Sequence, residues 1–522
     1  MKPAIFISLG ILVYAVFIVW HGFRSFKSTS ESSEKFFTAD RGLNPFVLLC
    51  TTSISVFSAL AFYGAPSGIY KDGIGFYSNT GGMVAGLLFV ILGYRLWLLG
   101  KEYGFTTPVD YLRSRYYSDG FGLFISIVLV LFIVPYVAMQ LIAIGDAVVV
   151  TTEGMVPYVV AVAVGTIVVS LHIIGGGMGS VAWMDTFHMV LGFGTLITLI
   201  VYLTMTYFPN GGFAEAVAIM QQNGTYDILS CPGPNGTFNW KGMLGNALTG
   251  AIATVVWPHI FMRTFVASSK ENFRQMSWMM PISYVLVYSP IVIIGAILAP
   301  AILGKGFAQP DNIVAVLSTQ YAPPFIAFIS LLCLFAFGVS TADSLLLSAS
   351  AMASRDIYLH HVYELKGRTS DPKQVVKFGR IVLLVLMVVT LVIVAIKPAS
   401  ITDYAYKLSS PFFAQILPAT VFGLFWKKAT KEGAIAGTVS GLIVAIIFTF
   451  FIAPPLGFSA LIWALVVNTI LLVAVSMFTT VPEEIVAKYH KRIDSIIYSG
   501  AELTSLTDAT IASVNAKAAD AR

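Results

Sequence analysis

The sequence predicts an all-α polytopic membrane protein of about thirteen transmembrane helices, built as a five-plus-five inverted repeat with broken second and seventh helices. Three observations predict it. Of 522 residues, 57% are hydrophobic and 11% charged, with mean hydropathy +0.82; a soluble domain carries about twice that charge fraction. Apolar runs near the ~20 residues that cross a bilayer recur along the chain. Two of them, the second and the seventh, are interrupted by glycine and proline, and each opens a set of five.

In order, the spans fall near 3–23, 44–70, 74–99, 120–150, 155–175, 180–207, 242–266, 275–304, 322–353, 376–397, 402–426, 432–453 and 457–480. The first run, Ala4 to Trp20, has no small-residue cleavage site behind it and reads as a retained span. The chain then divides into a first span and cytoplasmic loop (1–43), a first repeat of spans 2–6 (44–207), an extracellular loop (208–241), a second repeat of spans 7–11 (242–426), two peripheral spans (427–480) and a cytoplasmic tail (481–522). Five is odd, so the two repeats have opposite orientation.

Charge fixes the expected direction. With the N-terminus outside, 25 of the 31 Lys and Arg fall on the cytoplasmic side, six of them in 355–380 alone. The chain is therefore expected in the cell (plasma or inner) membrane as a multi-pass protein, N-terminus outside and C-terminus cytoplasmic. The outer loop carries Asn223-Gly-Thr and Asn235-Gly-Thr, acceptors only in a host that glycosylates. The tail reads as a short amphipathic helix from Glu483 to Tyr498 with a polar end. Three cysteines show no disulfide or metal spacing, and the net charge of +5 points to no nucleic-acid partner. No obligatory protein partner is evident beyond membrane lipid.

The ninth span is the richest in chemistry. On a helix at about 100° per residue, Ser340, Thr341, Ser344 and Ser348 fall within roughly 100°, with Asp343 about 60° to one side. Hydroxyls alone could be helix-packing glue. A carboxylate beside them at membrane depth favours an oxygen-lined cation site, because hard cations take hydroxyl, carbonyl and carboxylate oxygens. Asp185, one turn into the sixth span, caps or pairs locally, or completes that site. Thr51, Thr52, Ser53, Ser55 and Ser58 precede Gly64-Ala-Pro-Ser-Gly68 in the second span, and Trp257-Pro-His259 interrupts the seventh. Interrupted helices in corresponding places of inverted halves indicate a midplane binding site, hence a transporter. Asp403 and Lys407 are spaced i, i+4 and read as a pair. His172, His188, His259, His360 and His361 have no metal spacing and read as structural.

Gly176-Gly-Met-Gly-Ser180 through Asp185, Val339-Ser-Thr-Ala-Asp-Ser-Leu-Leu-Leu-Ser348 with Asp356-Ile-Tyr358, and Gly423-Leu-Phe-Trp-Lys-Lys with Gly433-Ala434 resemble the sodium/solute symporters, across all thirteen spans. The resemblance implies a leucine-transporter-type repeat, sodium-driven import and alternating access. It places one sodium on the backbone carbonyls of Ile54, Phe57 and Phe337 and the hydroxyls of Ser340 and Thr341. A second would sit among Asp185, Ser340, Asp343 and Ser344. Met184 and His188 depart from residues common in the family, as does the carboxylate at Asp343. The run Phe57 to Tyr70 is most similar to members carrying monocarboxylates or pantothenate.

The expected function is thus a sodium-coupled importer of a small organic solute, a monocarboxylate or similar organic anion, using one or two sodium ions. Expected solute contacts are Ser55, Ser58, Tyr136, Gln140 and Trp257. A proton-coupled symporter using Asp343 or Asp185 is the alternative, and a transporter-like sensor the alternative from another class. An enzyme is not expected: no nucleophile with converging base or metal ligands stands out.

Overall fold

A computed structural model describes residues 3–308, 312–368, 370–396 and 407–500. The described residues are helical apart from loops and one isolated bridge between Leu43 and Ala267. The helices are α1 Pro3–Phe23, α2 Pro45–Asp72, α3 Ile74–Tyr103, α4 Pro108–Arg115, α5 Asp119–Thr151, α6 Tyr158–Tyr207 and α7 Phe213–Gln222. The interrupted α8 runs from Trp240–Leu248 through Thr254–Val256 to Pro258–Phe265. Then come α9 Lys270–Leu303, α10 Ile313–Gln320, α11 Pro324–Lys366, α12 Pro372–Ile396, α13 Ser410–Phe425, α14 Lys431–Phe450 and α15 Ala460–Phe478. The tail helix α16 starts at Glu483–Val486 and ends at Arg492–Ser499.

Ten of these helices are long and apolar enough to cross a membrane. One, α6, is 50 residues long and fills two expected windows. It folds back at Gly177, whose φ of 61° and ψ of −163° break the helix. His172 Nε2 and Ser180 Oγ, eight residues apart, therefore lie 3.3 Å apart, where a straight helix would hold them at about 12 Å. A β-carbon at Gly177 would lie 2.6 Å from the Phe36 carbonyl oxygen, so only glycine fits this turn.

The interrupted α2 is the centre of the molecule. Of its most apolar window 94% is buried, against 28% for α12 and for α15, whose large apolar side chains face outward. Asn44 caps α2, its side chain accepting from Val47 N–H at 3.0 Å, and Pro45 sits where no intrahelical N–H is needed. Helix α11 continues past the expected end near 353 to Lys366. Its added charges are not lost to solvent: Asp356 accepts from the Thr107 hydroxyl at 2.9 Å, and Arg355 lies 3.8 Å from Asp110.

At that same end, α4 seals against α13. Arg115 donates to the Gly423 carbonyl at 2.8 Å, Tyr116 to that of Ala419 at 2.7 Å and Tyr111 to that of Thr420 at 3.3 Å. The tail helix docks beneath them. Arg492 pairs with Glu102 at 2.8 Å, Asp494 with Arg95 at 3.1 Å, and Tyr489 bonds the Ser114 hydroxyl. The segment 208–241, at the opposite end, contains α7 and is tied down: Asn223 donates to the Pro300 carbonyl at 3.1 Å and Asn235 to that of Lys71 at 3.0 Å. Asp403 and the tail from 501 lie outside the described residues.

Candidate functional site

The site grows out of the break in α2. Ser58 has φ 53° and ψ 178°, which no helical residue adopts. In an unbroken helix Ala59 N–H would donate to the Ser55 carbonyl. Here it donates to Gln140 Oε1 on α5 at 2.9 Å, and the Gln140 amide donates back to the Tyr136 carbonyl at 3.3 Å. Ser58 Oγ accepts from Leu60 N–H at 3.1 Å and starts the second half of the helix. The Ser55 carbonyl is thereby released, and the Thr341 hydroxyl on α11 donates to it at 3.4 Å.

Ser340 Oγ, on the same helix, is fully buried and makes no hydrogen bond of normal geometry. The released Ser55 carbonyl and the Thr341 hydroxyl thus meet between α2 and α11, and the buried Ser340 hydroxyl is next to Thr341 in the chain. Hard cations are bound by that donor set, so these residues fit a sodium ion. Ile54 and Phe57 flank Ser55 on α2, both buried, and Phe337 lies one turn before Thr341 on α11. The Phe57 carbonyl also accepts from Leu60 N–H.

The two acids have partners of their own. Asp185 Oδ2 accepts from Thr51 Oγ1 at 2.5 Å and lies 3.6 Å from Arg263 Nη2. Asp343 Oδ2 meets His172 Nδ1 at 2.5 Å. Arg263 is fully buried; the same Nη2 donates to Ser344 Oγ at 2.6 Å and to Ser55 Oγ at 3.4 Å, and Nη1 points to the Met178 sulfur at 2.8 Å. Ser55 Oγ and Ser344 Oγ are 3.0 Å apart. Arg263 belongs to the buried core between α2, α6 and α11.

Beside the break lies a small aromatic cavity lined by Phe57, Tyr136, Trp257, Tyr284 and Tyr288, with Asn79, Thr249 and Ser410 as polar points. Tyr136 and Trp257 face each other with ring centroids 5.1 Å apart, and Phe57 meets Tyr284 edge-on at 4.9 Å. The breaks in α2 and α8 both end here, because Trp257 precedes Pro258 in a non-helical conformation. Of the five expected solute contacts, the structure brings Tyr136 and Trp257 to the cavity wall. Ser55 stands in the Arg263 cluster, while Ser58 and Gln140 hold the ends of the break.

Thr249 also lines a larger vestibule that opens beside the 208–241 segment. Its described charged residues are Lys71, Lys241, Lys407 and Asp72. Sequence reading missed Arg263, Tyr284, Tyr288, Lys71 and Lys241 as site residues, and read Lys407 as a partner of Asp403. Tyr284 and Tyr288 are spaced i, i+4 on α9, a signal of one shared helix face.

A released carbonyl with hydroxyls beside it and a closed aromatic cavity, both at breaks in helices of a membrane-spanning bundle, are the arrangement of a secondary transporter of the broken-helix type. The chain belongs to the sodium:solute symporter family, whose model matches residues 36–441. Its movement of solute is accordingly coupled to sodium, and it is a multi-pass membrane protein. Similar proteins include the sodium/pantothenate symporter of Haemophilus influenzae, 26% identical over 454 residues, 85% of this chain and 90% of the relative. The sodium/proline symporter of Escherichia coli is 24% identical over 512 residues, 93% and 96% of the two chains. A solved Na+-coupled sialic acid symporter in its substrate-bound outward-open state superposes with TM-score 0.72 at 17% identity, covering 91% of this chain and 98% of that one. That likeness shows the fold.

Proposed function

We propose that the protein imports a small monocarboxylate-type organic anion together with sodium by alternating access. The observation that carries the anion is the vestibule: among the described residues, Lys71, Lys241 and Lys407 with Asp72 line the way to an aromatic cavity. A cleft of one sign concentrates ligands of the other. Its walls offer ring faces to an apolar body, while Asn79, Thr249 and Ser410 offer polar contacts. The curated relatives named for pantothenate and proline both move a solute with a carboxylate, which agrees with this reading.

Sodium is co-substrate. Bound by the Ser55 and neighbouring Ile54 and Phe57 carbonyls on α2, with Phe337, Ser340 and Thr341 on α11, it ties the two helices and steadies the break. The break in turn holds Phe57 at the cavity wall. Ion and solute therefore favour the same state, and each raises the affinity of the other by the same factor. The vestibule side faces outward in this reading and the α4–α13–α16 seal faces the cytoplasm. At about −100 mV inside, each sodium entering contributes about 2.3 kcal/mol from the potential, which each monoanion entering with it offsets.

The test is uptake into proteoliposomes of labelled lactate, pantothenate and proline, with and without a sodium gradient. Sodium should drive accumulation of the anions. Replacing Lys71, Lys241 and Lys407 together by Gln should slow anion uptake several-fold at low ionic strength, with the difference shrinking as salt is raised. Sodium-driven uptake of proline alone, unaffected by the triple substitution, would refute the anion reading.

A further inference from the structure

The Arg263 guanidinium stands where oxygen atoms from three elements converge. Asp185 comes from α6, Ser344 from α11 and Ser55 from α2, and Arg263 itself from the second half of α8 just past the Trp257–Pro258 break. Its Nη2 lies 2.6 Å from Ser344 Oγ, 3.4 Å from Ser55 Oγ and 3.6 Å from Asp185 Oδ2. A carboxylate with two hydroxyls, all buried, is a donor set for a hard cation. The chain fills it with its own cation. A buried charge is retained only where it is paired and hydrogen-bonded, and Asp185 with the two serines supplies that.

A sodium ion has no room there while Arg263 stays. It would compete with the guanidinium for the same three oxygens, and two cations would then share one carboxylate. Asp343 is oriented away from this cluster by His172, which holds its Oδ2 at 2.5 Å, while its Oδ1 makes no hydrogen bond. A tethered cation differs from a bound one in a further way: it cannot leave with the solute.

We propose that Arg263 is a built-in cation that replaces a second sodium, so that one sodium accompanies each solute. This rests on the sodium-coupled reading above. It has an electrical consequence: with one sodium, import of a monoanion moves no net charge, whereas import of a zwitterion moves one.

The experiment counts ions and needs no knowledge of the solute. Equilibrium binding of ²²Na⁺ to the purified full-length chain should saturate at one ion per chain, and Thr341→Ala should abolish most binding at the same concentration. Arg263→Ala, which vacates the cradle and leaves Asp185 to be neutralised, should saturate at two, with the added ion displaced by guanidinium. Arg263→Lys should remain at one. Two ions on the wild-type chain would overturn the proposal and leave sodium coupling intact, a result that does not depend on any variant folding. Folded Arg263→Ala that still binds one ion would overturn it as well. A wild-type chain that binds none would overturn both this proposal and the sodium reading beneath it.

Discussion

Gln140 touches neither of the acids and lies outside the cavity wall, yet removing its side-chain amide should weaken sodium binding. Its Oε1 takes the Ala59 N–H at 2.9 Å and it is fully buried. In Gln140→Leu, a change of similar volume, that N–H has two fates. Left unpaired in a dry interior it costs about 1–3 kcal/mol. Returned to the Ser55 carbonyl, it rebuilds the helical turn and takes back the oxygen that Thr341 reaches at 3.4 Å. Both fates act against the ion-competent break. A loss of about 1.4 kcal/mol is about tenfold in half-saturating sodium. The assay is a sodium titration of ²²Na⁺ binding to the purified variant, with Gln140→Glu, which keeps an acceptor oxygen, as control. The control should stay near wild type. Equal half-saturation for Gln140→Leu and wild type would refute the link between the Ala59 N–H and the ion.

Three further outcomes are expected. Cys231 is exposed on the 208–241 segment while Cys50 and Cys333 are buried, so an impermeant maleimide added to intact cells should label the wild-type chain and not Cys231→Ser; no labelling of wild type would reverse the proposed orientation. Gly177→Ala should lower the melting temperature, since a left-handed residue costs about 1–2 kcal/mol and its β-carbon would press on the Phe36 carbonyl; an unchanged melting temperature would show that the fold-back adapts. Burial first, and Arg115 next, hold the His490 imidazole down to about 4 from its ordinary 6.5. The docked tail therefore keeps His490 neutral, is favoured above the ordinary value and loses that contribution as pH falls from about 6.5 towards 4. Tryptic cleavage at Lys488 and Arg492, taken relative to an unfolded substrate at each pH, should quicken over that range, and a flat relative profile would refute the linkage.

The fold was legible because membranes allow few solutions: apolar runs of bilayer length must be helices. The breaks were legible too, since Gly64-Ala-Pro-Ser-Gly68 and Trp257-Pro258 announce carbonyls that need partners. The break in α2, however, falls at Ser58, six residues before that glycine. What sets it there is Gln140, on another helix, which no local pattern reveals. The hydroxyl face of α11 was readable from its period, and Thr341 does reach a backbone carbonyl of α2. Arg263 was not, because a lone arginine at the end of an apolar run reads as a charge left on the cytoplasmic side. Only the turn of α6 at Gly177 and the packing of α2 against α11 bring Asp185, Ser55 and Ser344 around it. Ser55, Ser58 and Gln140 read as pocket residues because they are polar and deep; in the structure Ser58 and Gln140 bond the ends of the break, and the Ser55 hydroxyl lies beside Arg263 and Ser344.

The docked tail helix bears on how solute leaves. Tyr489 holds Ser114 on α4, Arg492 and Asp494 hold Glu102 and Arg95 on α3, and α4 is bolted to α13 through Arg115. A route out on that side has to part α4 from α13, and whichever way α4 swings, the tail must travel with it or let go. The tail helix is then part of the exit door, a crossbar across its hinge. A fluorophore on Tyr498, which is well exposed at the end of that bar, would report the door's position without touching the path of ion or solute.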